Sequence, residues 1–206
     1  MQHQRLFFDG PAGRLQALYA PGQAGRPAVV ICHPHPLHGG TMRNKVVYWM
    51  ARAFEDRGCP VLRFNFRGVE QSEGAWGEGA GETQDAAAAL DWMQAQHPDA
   101  PLWLAGFSFG CYAGLSAARA NAQVSRLFAV APAVNLYDFS FLDDEKRHLT
   151  IVQGDADDIV PAQEVMNWAA SHPRSVMHVI AGAGHFFSDH MSEMTHALTA
   201  QAFSSS

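Results

Sequence analysis

Residues 27–32, Pro-Ala-Val-Val-Ile-Cys, form an apolar run of strand length with no polar face. A strand apolar on both sides must lie in a sheet covered on both sides, and parallel sheets meet that demand. Further strand-length runs are expected at 60–64, 102–105, 127–131, 149–153 and 176–180. Two shorter β-like runs, 5–8 and 15–19, precede them across the turn Asp9-Gly10-Pro11. Helical periodicity is expected over about 44–57, 82–96, 111–120, 162–170 and 190–203. The residues from 134 to 147 read as irregular. Strands alternating with helices of this length predict an α/β protein: a three-layer α/β/α sandwich around a mostly parallel sheet of about eight strands. With no internal repeat and no long linker, 1–206 is expected to be a single domain.

Composition narrows the function classes. Of 206 residues, 48% are hydrophobic and 17% charged, which suits a folded chain rather than a disordered one. The net charge is −6 and the pI about 6.0, so no basic footprint for nucleic acid is present. No stretch approaches the roughly 18 apolar residues of a membrane span. The N-terminus shows no apolar core or cleavage site of a signal peptide. Cys32, Cys59 and Cys111 are widely spaced, without a CxxC pair. Free thiols in a reducing cytoplasm are the expectation.

In sheets of this kind ligands bind beyond the carboxyl ends of the strands, so the residues following each apolar run are the informative ones. After 102–105 comes Gly106-Phe107-Ser108-Phe109-Gly110. Eighteen glycines make a Gly-x-Ser-x-Gly string unsurprising by itself. Its place between a strand and a helix is the stronger signal. A serine presented on such a sharp turn needs small neighbours two residues away, where strand and helix nearly touch. The N–H of Phe109, at the helix N-terminus, then points at a developing oxyanion.

A serine hydroxyl needs a base, and the base needs an orienting acid. After 149–153 comes Gly154-Asp155-Ala156-Asp157-Asp158, and after 176–180 comes Ala181-Gly182-Ala183-Gly184-His185-Phe186-Phe187. His185 is therefore the expected base. The other histidines beyond Ser108 fall before or within predicted strands and helices. Among the three aspartates, Asp157 is favoured. Asp155 is expected to bond its own loop in an Asx-type turn, and Asp158 to cap the helix near Pro161. A second oxyanion N–H is expected from the segment His33-Pro34-His35-Pro36-Leu37-His38-Gly39-Gly40. The prolines cannot donate, which leaves His35 or Leu37, with His35 preferred. Phe107, Leu37 and Phe186 are candidate pocket residues. Phe109 and Phe187 also flank the chemistry, although any one of these rings has an equal claim to the core.

These segments resemble the α/β-hydrolase superfamily, and more narrowly its short, lidless bacterial members that are compared with dienelactone hydrolases and small carboxylesterases. The resemblance rests on five segments in order: His33-Pro-His-Pro-Leu-His-Gly-Gly40, Leu62-Arg-Phe-Asn-Phe-Arg-Gly-Val-Glu-Gln-Ser-Glu-Gly74, Gly106-Phe-Ser-Phe-Gly110, Gly154-Asp-Ala-Asp-Asp-Ile-Val-Pro161 and Gly184-His-Phe186. It spans about residues 13–200. It implies a Ser108, Asp157, His185 triad, oxyanion groups from Phe109 and near His35, and a mainly structural turn at Asn65-Phe-Arg-Gly68. It also implies a serine hydrolase that cleaves small carboxylic esters through an acyl-enzyme, without metal or cofactor. Thioesters, lactones and peptides are alternative substrates. Dienelactone hydrolases proper use Cys where this chain has Ser108, which counts against that substrate. The stretch before 149 is too short for a substantial lid.

Two other readings compete. The spacing His33-x-His35-x-x-His38 superficially matches a metal motif, but Leu37 stands where an acidic ligand belongs. The fold is also compatible with a non-catalytic binding module, against which the ordered Ser, Asp and His argue. The expected partner is a small ester, not nucleic acid or membrane. The chain is expected to act as a monomer or a homodimer.

Overall fold

The computed structural model describes residues 3–203. The 1–206 span expected as one domain thus extends at 1–2 and 204–206 outside the described residues. Eight strands form one sheet: β1 (Gln4–Gly10), β2 (Gly13–Ala20), β3 (Ala28–Cys32), β4 (Val61–Phe64), β5 (Leu102–Phe107), β6 (Val124–Val130), β7 (His148–Gly154) and β8 (Ser175–Ile180). Their spatial order is β1-β2-β4-β3-β5-β6-β7-β8. The β1–β2 and β2–β4 pairs are antiparallel and the remaining pairs parallel.

Among the described residues five helices cover the sheet: α1 (Lys45–Glu55), α2 (Ala80–Gln96), α3 (Phe109–Arg119), α4 (Ala162–Ala170) and α5 (Met191–Thr199). The strand period of two sorts side chains between the layers. On β3, Ala28, Val30 and Cys32 face the core beneath α2, α3 and α4. Val29 and Ile31 face the core beneath α1 and α5. All five are essentially inaccessible to water. Burying each Val or Ile contributes roughly 1.5–3 kcal/mol, and this explains why the run tolerates no polar residue.

Local chemistry sets the helix ends. The Asn44 side chain accepts the Val46 N–H at 2.9 Å and starts α1. Past its end, Gly58 turns the chain at φ 81°. Buried Glu82 accepts the N–H groups of Gly77 and Gly79 and anchors the start of α2. Several boundaries differ from the sequence pattern. The β5 ladder runs on to Phe107, paired with Val130. The α3 helix begins at Phe109 directly after the serine, because Ser108 itself makes the turn. The C-terminal helix is shorter than its pattern, ending at Thr199. Residues 131–147, between β6 and β7, hold one 3-10 turn, Ser140–Leu142, and no lid is inserted there. Among the described residues no helix is long and apolar enough to cross a membrane.

Candidate active site

Ser108 stands between β5 and α3 at φ 55° and ψ −119°. A non-glycine residue there stores about 1–3 kcal/mol of strain, which the surroundings must hold. Its N–H donates to Val130 O at 2.9 Å, tying the turn to the end of β6. The flanking glycines do two different jobs. A Cβ on Gly106 would lie 2.5 Å from Gly110 O and 2.6 Å from Cys111 N, which is the expected strand–helix contact. A Cβ on Gly110 would instead strike Cys32 O and lie 2.6 Å from His33 O, at the exit of the neighbouring strand β3.

His185 Nδ1 donates to Asp157 Oδ2 at 2.8 Å. That bond places the proton on Nδ1, so Nε2 keeps its lone pair. The Ser108 hydroxyl donates to Nε2 at 3.1 Å. All three residues are buried, each less than a tenth exposed. Asp157 Oδ1 accepts the N–H groups of Ile159 and Val160 at 2.9 and 2.8 Å. Gln153 Nε2 donates to Oδ2 at 3.0 Å. Burial by itself would raise the Asp157 pKa. The His185 bond, the Val160 N–H, the imidazole's charge and the Ile159 N–H together outweigh it, and the carboxyl titrates below its ordinary value.

The neighbouring aspartates differ from expectation. Asp155 makes no local Asx-type turn. Its Oδ1 accepts the Gly182 N–H at 2.6 Å across 27 residues and stitches the acid loop to the histidine loop. Asp158 is exposed and caps nothing among the described residues, since α4 has Pro161 at its N-cap without a side-chain bond. The Asx-type turn belongs to Asp157 itself. Gln153, absent from the sequence reading, donates to Gly154 O and Val160 O as well as to Asp157. A long amide closing the apolar run 149–153 was the available signal.

A cleft of about 410 Å³ opens over Ser108 and His185. Phe186 lines it, about half exposed. Phe107, expected in the pocket, is fully buried under the His185 ring, with centroids 5.1 Å apart. The extended β5 ladder turns it into the core beneath α1 and α5. Leu37 also leaves the pocket. It sits in a 3-10 turn, Pro36–His38, and points to solvent at 65% exposure, outside the cleft lining. Phe109 lines the cleft and packs its ring on His35 and Trp76, whereas Phe187 is sealed in the core. His38, Asn44, Leu136, Tyr137 and Ile159 also line the cleft, although no local pattern marks them as pocket residues.

The His35 and Phe109 N–H groups appear in none of the turn, cap or side-chain bonds of the described residues. Both residues border the cleft beside Ser108. Of the histidines of 33–38, His35 and His38 hold their ring centroids 4.6 Å apart, whereas both ring nitrogens of His33 are spent on backbone. His33 donates from Nδ1 to Pro34 O at 2.6 Å and accepts the Phe66 N–H on Nε2 at 3.0 Å. Among the described residues no three His, Cys, Asp or Glu side chains group to hold a metal ion. A second depression, of about 600 Å³, lies at the opposite ends of the strands by Pro27 and Trp103, and neither Ser108, Asp157 nor His185 lines it.

The fold and this site define an α/β hydrolase. The chain belongs to the α/β-hydrolase fold family, whose model matches residues 27–149. It is 39% identical over 205 residues to the uncharacterised protein RP471 of Rickettsia prowazekii (strain Madrid E), covering 94% of this chain and 86% of that one. Among solved structures it is similar to XC6422 of Xanthomonas campestris, described as an α/β serine hydrolase without lid. The identity is 36%, the TM-score 0.88, and the match covers 97% of this chain and 93% of that one. It is also similar to an α/β serine hydrolase homologue from Coxiella burnetii at 37% identity and TM-score 0.91, with 97% of both chains covered.

Proposed function

We propose that the protein is a serine hydrolase that cleaves small, uncharged carboxylic esters through an acyl-enzyme on Ser108. The observation that carries this reading is the buried row Ser108, His185, Asp157, hydrogen-bonded at 3.1 and 2.8 Å at the floor of an open cleft. His185 Nε2 removes the hydroxyl proton as Oγ attacks the carbonyl carbon. Asp157 holds the imidazole in the competent tautomer and stabilises the imidazolium. The N–H groups of Phe109 and His35 receive the oxyanion, each worth about 3 kcal/mol by mutational precedent. His185 then protonates the leaving alcohol, and water releases the acyl group by the same route.

The cleft lining includes no Lys, Arg, Asp or Glu, which favours neutral substrates. Its small volume favours short acyl chains. The three free, buried cysteines support a reducing compartment, and so a cytoplasmic enzyme. A fluorophosphonate probe tests the chemistry. Labelling at Ser108 is expected in the native protein and is expected to vanish in Ser108→Ala and His185→Ala. A folded native sample that resists the probe would refute the reading. A nitrophenyl ester series tests the size, and a preference for long acyl chains would overturn that part.

A further inference from the structure

Strand order gives the cleft two unlike walls. Ser108 follows β5, which lies between β3 and β6. The loop after β3 and the start of α1 supply His35, His38 and Asn44 on one side. The loops after β6 and β7 supply Leu136, Tyr137 and Ile159 on the other. Leu136 and Ile159 are 60% and 41% exposed, so this side is an open apolar ledge.

The polar wall has a particular chemistry. His35 Nδ1 accepts the Leu37 N–H at 3.1 Å, so the neutral ring carries its proton on Nε2. Burial, helped by neighbouring His38, keeps the His35 pKa below its ordinary value and the ring neutral. Asn44 Oδ1 accepts the Val46 N–H, which leaves its amide NH₂ as the free end. In both side chains the backbone has taken the acceptor atom. What each of these two lining side chains has left to offer is N–H, and the cleft they border is lined by no Lys or Arg. Such a wall suits an uncharged oxygen acceptor rather than a carboxylate or phosphate, which would call for Arg or Lys.

Building on the ester-hydrolase reading, we infer that the substrate is an ester with a second, uncharged oxygen acceptor (ether, hydroxyl or carbonyl) on one side of the scissile carbonyl and a compact apolar group on the other. His35 and Asn44 are the specificity-determining side chains for that oxygen, with the His38 ring set against His35 at 4.6 Å between centroids.

Matched isosteres test this on each side of the ester: nitrophenyl pentanoate against nitrophenyl methoxypropanoate, and butyl acetate against methoxyethyl acetate. Each kcat/KM is divided by the hydroxide rate of the same ester. In one of the two pairs the ether is expected to be favoured about fivefold, the scale of one net hydrogen bond. Asn44→Asp keeps the α1 cap but removes the NH₂ donor, and His38→Leu alters an exposed ring; each is expected to abolish the preference. Alkane preference in both pairs, or an ether preference that both variants retain, would overturn the inference. In that event, continued fluorophosphonate labelling of Ser108 leaves the hydrolase reading intact. Loss of labelling in the native protein brings down both.

Discussion

Replacing Gly110 by alanine isolates the close approach that positions the nucleophile. Gly110 lies in the first turn of α3, fully buried, and its φ is not in the left-handed region, so the added methyl brings no backbone strain of its own. It does bring a collision. The new Cβ would sit 2.6 Å from His33 O and 2.7 Å from Cys32 C, with Cys32 O closer still. Ordinary contacts begin near 3.4 Å, so α3 and the end of β3 must separate by about 1 Å. The obstacle is backbone, and no rotamer change relieves it. Overpacking of this sort costs about 3 kcal/mol, and the better helix propensity of alanine returns at most about 1 kcal/mol. The net loss of about 2 kcal/mol lowers Tm by about 4–8 °C in a chain of this size. The shift also carries His33 and His35 away from Ser108. A misplacement of about 1 Å in an oxyanion donor can slow acylation about a hundredfold. Gly114→Ala, one turn further on, is the control. Its Cβ would meet Leu104 Cδ2 at 2.9 Å and Cys32 Sγ at 3.0 Å, side-chain atoms that can give way. Calorimetry and the rate of fluorophosphonate labelling report both effects. A Gly110→Ala protein that melts within about 1 °C of the native one and labels at the same rate would refute the reasoning.

Asp157→Asn should fold but present the wrong imidazole tautomer, because an amide donates to Nδ1 where the carboxylate accepts. Its kcat on a nitrophenyl ester is expected to fall by about a thousandfold or more. Gln153→Met removes the donor shared by Asp157 Oδ2, Gly154 O and Val160 O. Urea unfolding should show a loss of about 2 kcal/mol, and steady-state kinetics a lower kcat with KM little changed. His33 is held down to about 4 by burial, opposed by its bond to Pro34 O and aided by His35. The unfolded chain takes up a proton at His33 below about pH 6.5 that the native state refuses until about pH 4. Stability therefore falls as pH drops through that window, by roughly 3 kcal/mol from this group. In His33→Gln, whose amide can serve both bonds, unfolding free energies at pH 7 and pH 4.5 should differ by correspondingly less.

Much of this architecture is legible along the chain because it depends on local periodicity. An unbroken apolar run such as Val29–Ile31 has no stable place except a sheet covered on both faces. The succession of strands and helices follows from repeats of that pattern. The same logic singles out Ser108 and His185, since each follows a strand and is flanked by glycine. Neighbouring side chains need not be known to see either one.

Local pattern could not rank the three aspartates of 155–158. They share one loop, and only its folded path sends Asp157 inward to His185 and Gln153, Asp155 across to Gly182, and Asp158 to water. It could not place Phe107 either. Whether that ring reaches the cleft depends on how far the β5–β6 ladder runs, and pairing to Val130 extends it far enough to turn Phe107 into the core. The largest decision left to tertiary structure was the order β4-β3-β5-β6. Strand neighbours are chosen by contacts between residues distant in sequence, which no local period encodes. That order sets the donor wall of His35 and Asn44 on one side of Ser108 and the apolar ledge of Leu136 and Ile159 on the other.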